Sequence, residues 1–171
     1  MSHHYQRVLI IGSPGAGKST LATKLAQRWQ LPLIRLDQLF WQDDKTTITI
    51  SQLQEKLIPI LAEKSWLIDG NYDSLLAQRL QRADLVIYLK VSRLTAIYRV
   101  IKRYLTFRGK KAPGANPDVL DLEFLTYIWH FPAKQGKNVA SILAESQDNF
   151  RLIEARNSRQ VLQKLALENM K

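Results

Sequence analysis

The chain contains no cysteine, which removes disulfide frameworks, thiolate zinc sites and a cysteine nucleophile together. Long apolar runs are missing as well. Val8–Ile11 and Leu85–Leu89 fall far short of the roughly 20 residues that a membrane-spanning helix needs. The run from Val8 stops at Gly12, too soon for the core of a signal peptide, and His3 and His4 suit a frayed end better than a metal site. No repeat or low-complexity tract interrupts the sequence. Acid is scarce: 25 Lys and Arg stand against 15 Asp and Glu, a formal charge of +10. Such an excess points to a polyanionic partner, a nucleotide or a nucleic acid. The bias is local, because Lys90–Lys111 holds eight bases and no acid.

What is present is ordinary globular material, 46% apolar and 23% charged, in 171 residues, one domain's worth. The expected location is cytoplasmic, without a membrane partner. Short apolar runs alternate with helical patterns. Val8–Ile11, Leu33–Leu36, Trp66–Ile68, Leu85–Leu89 and Phe150–Glu154 read as five strands. Leu21, Leu25 and Trp29 recur on one helix face, as do Leu53, Leu57 and Leu61 behind a capping box at Ser51 and Gln54. Pro59 predicts a kink or an early stop. Leu94, Ile97, Tyr98, Ile101 and Leu105 form an apolar stripe, with Arg99, Lys102 and Arg103 opposite at about 100° per residue. Two more helices are expected near 118–130 and 133–147, and Asn157 with Gln160 caps a last one. Strands alternating with helices predict a parallel sheet covered on both faces, a three-layer α/β sandwich.

Gly12-Ser13-Pro14-Gly15-Ala16-Gly17-Lys18-Ser19 fits G-x-x-x-x-G-K-[ST] at every fixed position, between an apolar strand and an amphipathic helix. Its glycines let successive backbone N–H groups turn toward phosphate oxygens, and the helix N-terminus adds its dipole. Lys18 brings a point charge to the β- and γ-phosphates; Ser19 offers a hydroxyl to Mg²⁺, and Thr20 one near the α-phosphate. The pattern predicts an ATP site with magnesium.

A magnesium shell also needs a carboxylate, which Asp69 supplies at the end of an apolar strand unless it only caps the following turn. Asp37 ends the second strand in the same way. Carboxyl-side strand ends share one crevice, so both should face the phosphate loop. Asp37 is then the candidate to orient or deprotonate an acceptor hydroxyl, with a helix cap as the alternative. Phe40, Trp41 and Tyr72 are candidate acceptor walls, or simply core. His130, in Trp129-His130-Phe131, is expected to be structural.

The phosphate loop, Leu36-Asp37, Ile68-Asp69-Gly70 and the basic helix after strand four resemble the adenylate-kinase-like group of small P-loop kinases. Within it, Leu36–Trp41, Ile68–Tyr72 and Asp121-Leu122-Glu123-Phe124-Leu125 resemble the bacterial proteins labelled topology modulation protein. The resemblance runs from about Val8 to Leu165. It implies a five-stranded parallel core, an acceptor-binding region at 37–65 and an Arg-rich lid at 99–131. It also implies that Asp69 holds magnesium through water and that Arg103 and Arg108, helped by Arg99, close on the transferring phosphoryl group. The stretch around Arg156-Asn157-Ser158 would lie beside the adenine. One departure matters: nucleoside monophosphate kinases follow Asp-Gly with an aromatic and then Pro-Arg to grip the acceptor phosphate, whereas this chain has Asn71-Tyr72-Asp73.

The leading expectation is therefore an Mg-ATP-dependent kinase or ATPase acting on a small-molecule acceptor. A nucleotide-dependent DNA-binding protein affecting DNA topology is the alternative, with Lys90–Lys111 as its surface. A third is a P-loop protein that binds nucleotide without turnover. Nucleic-acid binding under the kinase reading is expected to be weak and indifferent to sequence.

Overall fold

The computed structural model describes residues 5–42, 46–107, 120, 122–146 and 149–168. Five strands, β1 (Arg7–Gly12), β2 (Leu33–Arg35), β3 (Trp66–Asp69), β4 (Leu85–Leu89) and β5 (Arg151–Ala155), form one parallel sheet in the order β2-β3-β1-β4-β5. The helices are α1 (Lys18–Trp29), α2 (Leu36–Phe40), α3 (Ile50–Ala62), α4 (Leu76–Leu80), α5 (Arg93–Phe107), α6 (Leu122–His130), α7 (Gln135–Glu145) and α8 (Ser158–Glu168). A 3₁₀ turn at Asp73–Leu75 precedes α4.

Side chains on a strand alternate between faces, so a sheet covered on both sides must be apolar throughout. β1 obeys this. Val8 and Ile10 pack with Leu21 and Leu25 of α1 and Val161 and Leu165 of α8. Leu9 and Ile11 pack on the other face with Leu53, Leu57 and Leu61 of α3 and Val139 and Leu143 of α7. The result is the three-layer α/β fold of a P-loop NTPase, with β1 at the centre and its carboxyl end opening onto the phosphate loop.

Four local expectations change. β2 ends at Arg35, and Leu36 begins α2, so Asp37 sits in the first turn of a helix. Leu36 is fully buried against Gly70, where an added Cβ would stand 2.9 Å from the Leu36 Cβ. The capping box of α3 is Thr49 and Gln52 rather than Ser51 and Gln54. The Gln52 N–H donates to Thr49 Oγ1 at 3.2 Å, and the Thr49 N–H to Gln52 Oε1 at 2.9 Å. Both pairs fit the same spacing, and the helix takes the earlier one. Pro59 lies inside α3, which continues to Ala62. Near a helix end its missing donor forfeits one bond.

The fourth change concerns α5. Leu94, Tyr98 and Leu105 are 71%, 64% and 64% exposed, whereas Ala96 and Val100 are 1% and 3%. The helix thus turns its small residues inward. Val100 packs with Ile128 and Phe124 of α6, and an added Cβ at Gly15 would stand 2.6 Å from the Ala96 carbonyl oxygen. Close approach to the phosphate loop accompanies this orientation, and it brings Arg99 to the loop while Arg99, Lys102 and Arg103 remain exposed.

At the other end of the chain, Asn157 caps α8 by accepting the Gln160 N–H at 3.0 Å. Gln160 reaches back to the Arg156 N–H at 2.8 Å rather than to that of Asn157.

Candidate functional site

The motif glycines Gly12, Gly15 and Gly17 all have φ between 72° and 144°, the left-handed side that a Cβ disfavours. Lys18 folds back over the loop they form. Its Nζ donates to the Gly12 and Ser13 carbonyl oxygens at 2.9 and 3.0 Å. Burial lowers the Lys18 pKa, while Asp69 and Asp37 pull it back up. An ammonium held by two carbonyls beside two carboxylates is ready to exchange those partners for phosphate oxygens.

Asp69, at the end of β3, is 5% exposed, and its Oδ1 is buried without a hydrogen-bond partner. Burial raises its pKa; Lys18 and a hydrogen bond from Ser19 oppose the rise. A buried carboxylate oxygen with no donor beside a serine hydroxyl is a hard-oxygen pair that fits Mg²⁺. Among the described residues no group of three or more His, Cys, Asp or Glu could hold a metal. The pair suits an ion that takes most of its shell from phosphates and water.

The loop after β3 joins the two halves of the site. The Gly12 N–H donates to Asn71 Oδ1 at 3.0 Å, and Asn71 Nδ2 donates to the Gly12 carbonyl oxygen at 2.9 Å. Tyr72, at φ 47°, donates its hydroxyl to Asp37 Oδ1 at 3.1 Å. Burial, and then the Asp37 charge, push the Tyr72 pKa far up, so the phenol stays a donor.

Arg79 holds this loop from below and is completely buried. Its Nε donates to the Leu75 carbonyl at 3.1 Å and its Nη1 to Gly70 at 2.9 Å; its Nη2 reaches Tyr72 at 3.0 Å and also Asn71. Burial lowers its pKa to about 10, against the opposing pull of Asp73 and Tyr72, so it stays charged at neutral pH.

These groups open onto one cavity of ≈830 Å³. Lys18, Ser19, Thr20 and Gly15 line one wall; Arg35, Asp37, Tyr72, Asp73, Tyr127 and Gln135 line the other, with Asp69 between them and Arg99 and Arg103 along α5. Arg99 Nη1 donates to the Ala16 and Gly15 carbonyls at 3.2 and 3.4 Å. A second recess of ≈510 Å³ lies against Ala16, Gly17, Thr20, Arg99, Asn157, Ser158 and Arg159. Arg156 is exposed and does not line it. Ser13 is buried within the phosphate loop, its Oγ unpartnered. Arg108 lies outside the described residues.

Sequence reasoning missed Arg35, Arg79 and Gln135, and it considered Asp73 only as a substitute for Asp69 at the magnesium. A signal existed for Arg79 alone. It shares the helical phase of Leu75, Leu76 and Leu80, all buried, and a base on an apolar face needs a structural partner.

No family model matches the chain. It is 28% identical over 150 residues to an adenylate kinase of Moorella thermoacetica, covering 67% of this chain and 69% of that one. An adenylate kinase of a Thermoanaerobacter species is 26% identical over the same extent. The fold matches shikimate kinase from Acinetobacter baumannii, solved with shikimate, at a TM-score of 0.64 and 15% identity, over 98% and 97% of the two chains. Shikimate kinase from Bacteroides thetaiotaomicron matches at 0.59 and 17%, over 97% of each. These likenesses support a small P-loop kinase. For such a kinase, the wall carrying Lys18 is the donor wall, and the wall facing it is the acceptor wall.

Proposed function

We propose that the protein is an Mg-ATP-dependent phosphotransferase acting on a small molecule. The observation that carries this is the meeting of Lys18, the Ser19–Asp69 pair and Asp37 in one cavity. Phosphoryl transfer needs in-line positioning and positive charge around the equatorial oxygens more than covalent help. In this reading the loop amides and Lys18 cradle the triphosphate, and the recess at Asn157 and Ser158 takes the adenine. Arg99, Arg103 and Arg108 belong to a lid at 99–131, and 37–65 borders the acceptor. Ser19 and Asp69 would hold the magnesium, which when bound supplies positive charge to the β- and γ-phosphate oxygens.

The acceptor hydroxyl oxygen bonds to the γ-phosphorus as the bond to the β,γ-bridging oxygen breaks. Its proton passes to Asp37 Oδ2, and ADP departs with the bridging oxygen and its electron pair. Tyr72 fixes the other Asp37 oxygen, so one lone-pair face stays turned to the acceptor.

The narrower likeness to topology modulation proteins rests on the quoted sequence stretches alone. The DNA-binding alternative gains nothing from the described residues, because Arg99 and Arg103 line the cavity.

Thermal melting with Mg-ATP tests the reading. At a hundredfold excess over Kd, nucleotide should stabilise the fold by about 2.7 kcal/mol, and Lys18→Ala should lose most of that gain together with ADP formation. A wild-type melting curve indifferent to Mg-ATP would sink it.

A further inference from the structure

We infer that the acceptor wall takes a compact, hydroxylated molecule carrying no phosphate group. The inference rests on the phosphotransferase reading of the same cavity and narrows it from the charges and hydrogen-bonding groups across from Lys18.

Charge comes first. Asp37 and Asp73 face the cavity from this wall, and Arg35 is the one cation lining it among the described residues; Arg79, beneath the loop, acts on Asp73, and Lys18 acts on Asp37 from the opposite wall. One Arg35 nitrogen is already given to Thr23 Oγ1 at 2.8 Å, and its Nε is buried without a partner. Arg79, next in the chain, cannot substitute for a phosphate-gripping arginine, because its guanidinium is spent on four backbone carbonyls below the loop. Arg99 is bound to the phosphate loop, and Arg103 acts on Lys18 at the donor wall. A monoester phosphate, close to a dianion at neutral pH, would meet two carboxylates and one partly engaged guanidinium.

Hydrogen-bonding capacity points the same way. Asp37 keeps an oxygen that Tyr72 does not use, Asp73 has a long 3.4 Å contact from Asn138, and Gln135 Oε1 is buried without a partner. The wall therefore offers acceptors at Asp37, Asp73 and Gln135 against donors at Arg35 and the Tyr127 hydroxyl. Its ligand must bring donors, which hydroxyl or amino groups supply and a phosphate dianion does not. Arg35 leaves room for one carboxylate or carbonyl. The aromatic rings of Tyr72, Phe124 and Tyr127 fit the carbon face of such a molecule.

Diadenosine pentaphosphate, two adenosines joined by a chain long enough to reach from donor to acceptor, decides the matter when compared with ATP by calorimetry in magnesium. The expected result is a Kd within about tenfold of that for ATP, because the second nucleotide half finds no welcome. Binding tighter than that overturns the inference, because the acceptor wall would then hold a nucleoside monophosphate. In Asp37→Asn/Asp73→Asn the pentaphosphate should gain on ATP by about tenfold; an unmoved ratio overturns the charge argument. If ATP itself shows no binding, the phosphotransferase reading fails first, which separates the two failures. ADP release should rise with a member of a panel of polyols, sugar acids and amino sugars. Stimulation by nucleoside monophosphates and by no member of that panel also overturns the inference.

Discussion

The two walls of the cavity are built by different means. The wall read as the donor side is one continuous stretch, Gly12–Thr20, built on glycines with positive φ and a helix start, where backbone N–H groups can serve as donors. The wall read as the acceptor side is collected from β2, α2, the loop after β3, α6 and the start of α7, and the polar groups it offers are side chains of Arg35, Asp37, Asp73, Tyr127 and Gln135. A wall of backbone amides can serve any nucleotide triphosphate. A wall of side chains drawn from distant positions can be changed one residue at a time, so specificity belongs there. Asn71 ties the walls together through Gly12, and Arg79 sets the loop that carries Asn71.

The sharpest way to break the donor wall alone is Arg103→Ala. As a cation brought to the transferring phosphoryl group, Arg103 should account for a factor of about 10³ or more in kcat. The fold and ATP affinity should change little, because Arg103 is largely exposed. Steady-state ADP formation beside ATP calorimetry checks this. An unchanged kcat would assign the role to another base of the lid.

Arg79→Met strikes the link between the walls. It leaves four carbonyl groups without their shared donor, and losing bonds from a charged donor in a buried site should cost about 2–4 kcal/mol of stability. Chemical denaturation reads that cost. Arg79→Lys should recover only part of it, because an ammonium cannot reproduce a planar fork. If Arg79 fixes Tyr72 against Asp37, the lysine variant should both loosen the burial of the phenol and weaken its bond to Asp37, and each change lowers the Tyr72 pKa. Ultraviolet difference titration above pH 9 measures it.

This asymmetry also explains what the sequence made legible. The donor wall could be read because its contacts are local: the motif, the strand before it and the helix after it all lie within Arg7–Trp29. Asp69 was legible because an acid ending an apolar strand stands out. Arg35 and Gln135 were not, since nothing in their neighbourhoods distinguishes a cavity-facing polar residue from a solvated one. The stripe on α5 misled for a related reason. Periodicity identifies an apolar face but not which neighbour a helix must meet. Here, Ala96 meets Gly15 in tight contact while Leu94, Tyr98 and Leu105 stay exposed.

The smallest expected effect lies where the walls meet, at Asp69, and its sign is informative. Burial raises the Asp69 pKa in the folded protein above its unfolded value. A carboxyl shifted upward favours folding when protonated, and that contribution is lost as pH rises from the unfolded value through the folded one. At neutral pH without metal, the ionised form is thus a strain on the fold, one that magnesium and phosphate chemistry would relieve. Asp69→Asn removes the charge at nearly constant volume. The metal-free variant should melt above the wild type at pH 7, by about 2–4 °C for each kcal/mol relieved. The gap should narrow as pH is lowered, because the wild-type carboxyl takes up its proton above the ordinary carboxylate range. The same variant should lose magnesium-dependent stabilisation by ATP, because an amide is a poor ligand for a hard cation. Opposite signs from one substitution, metal-free gain and nucleotide-bound loss, are what a carboxylate kept for a metal produces. A variant that melts lower at every pH would instead make Asp69 a partner of Lys18 and Ser19 within the fold, and the magnesium would have to be sought on the acceptor wall.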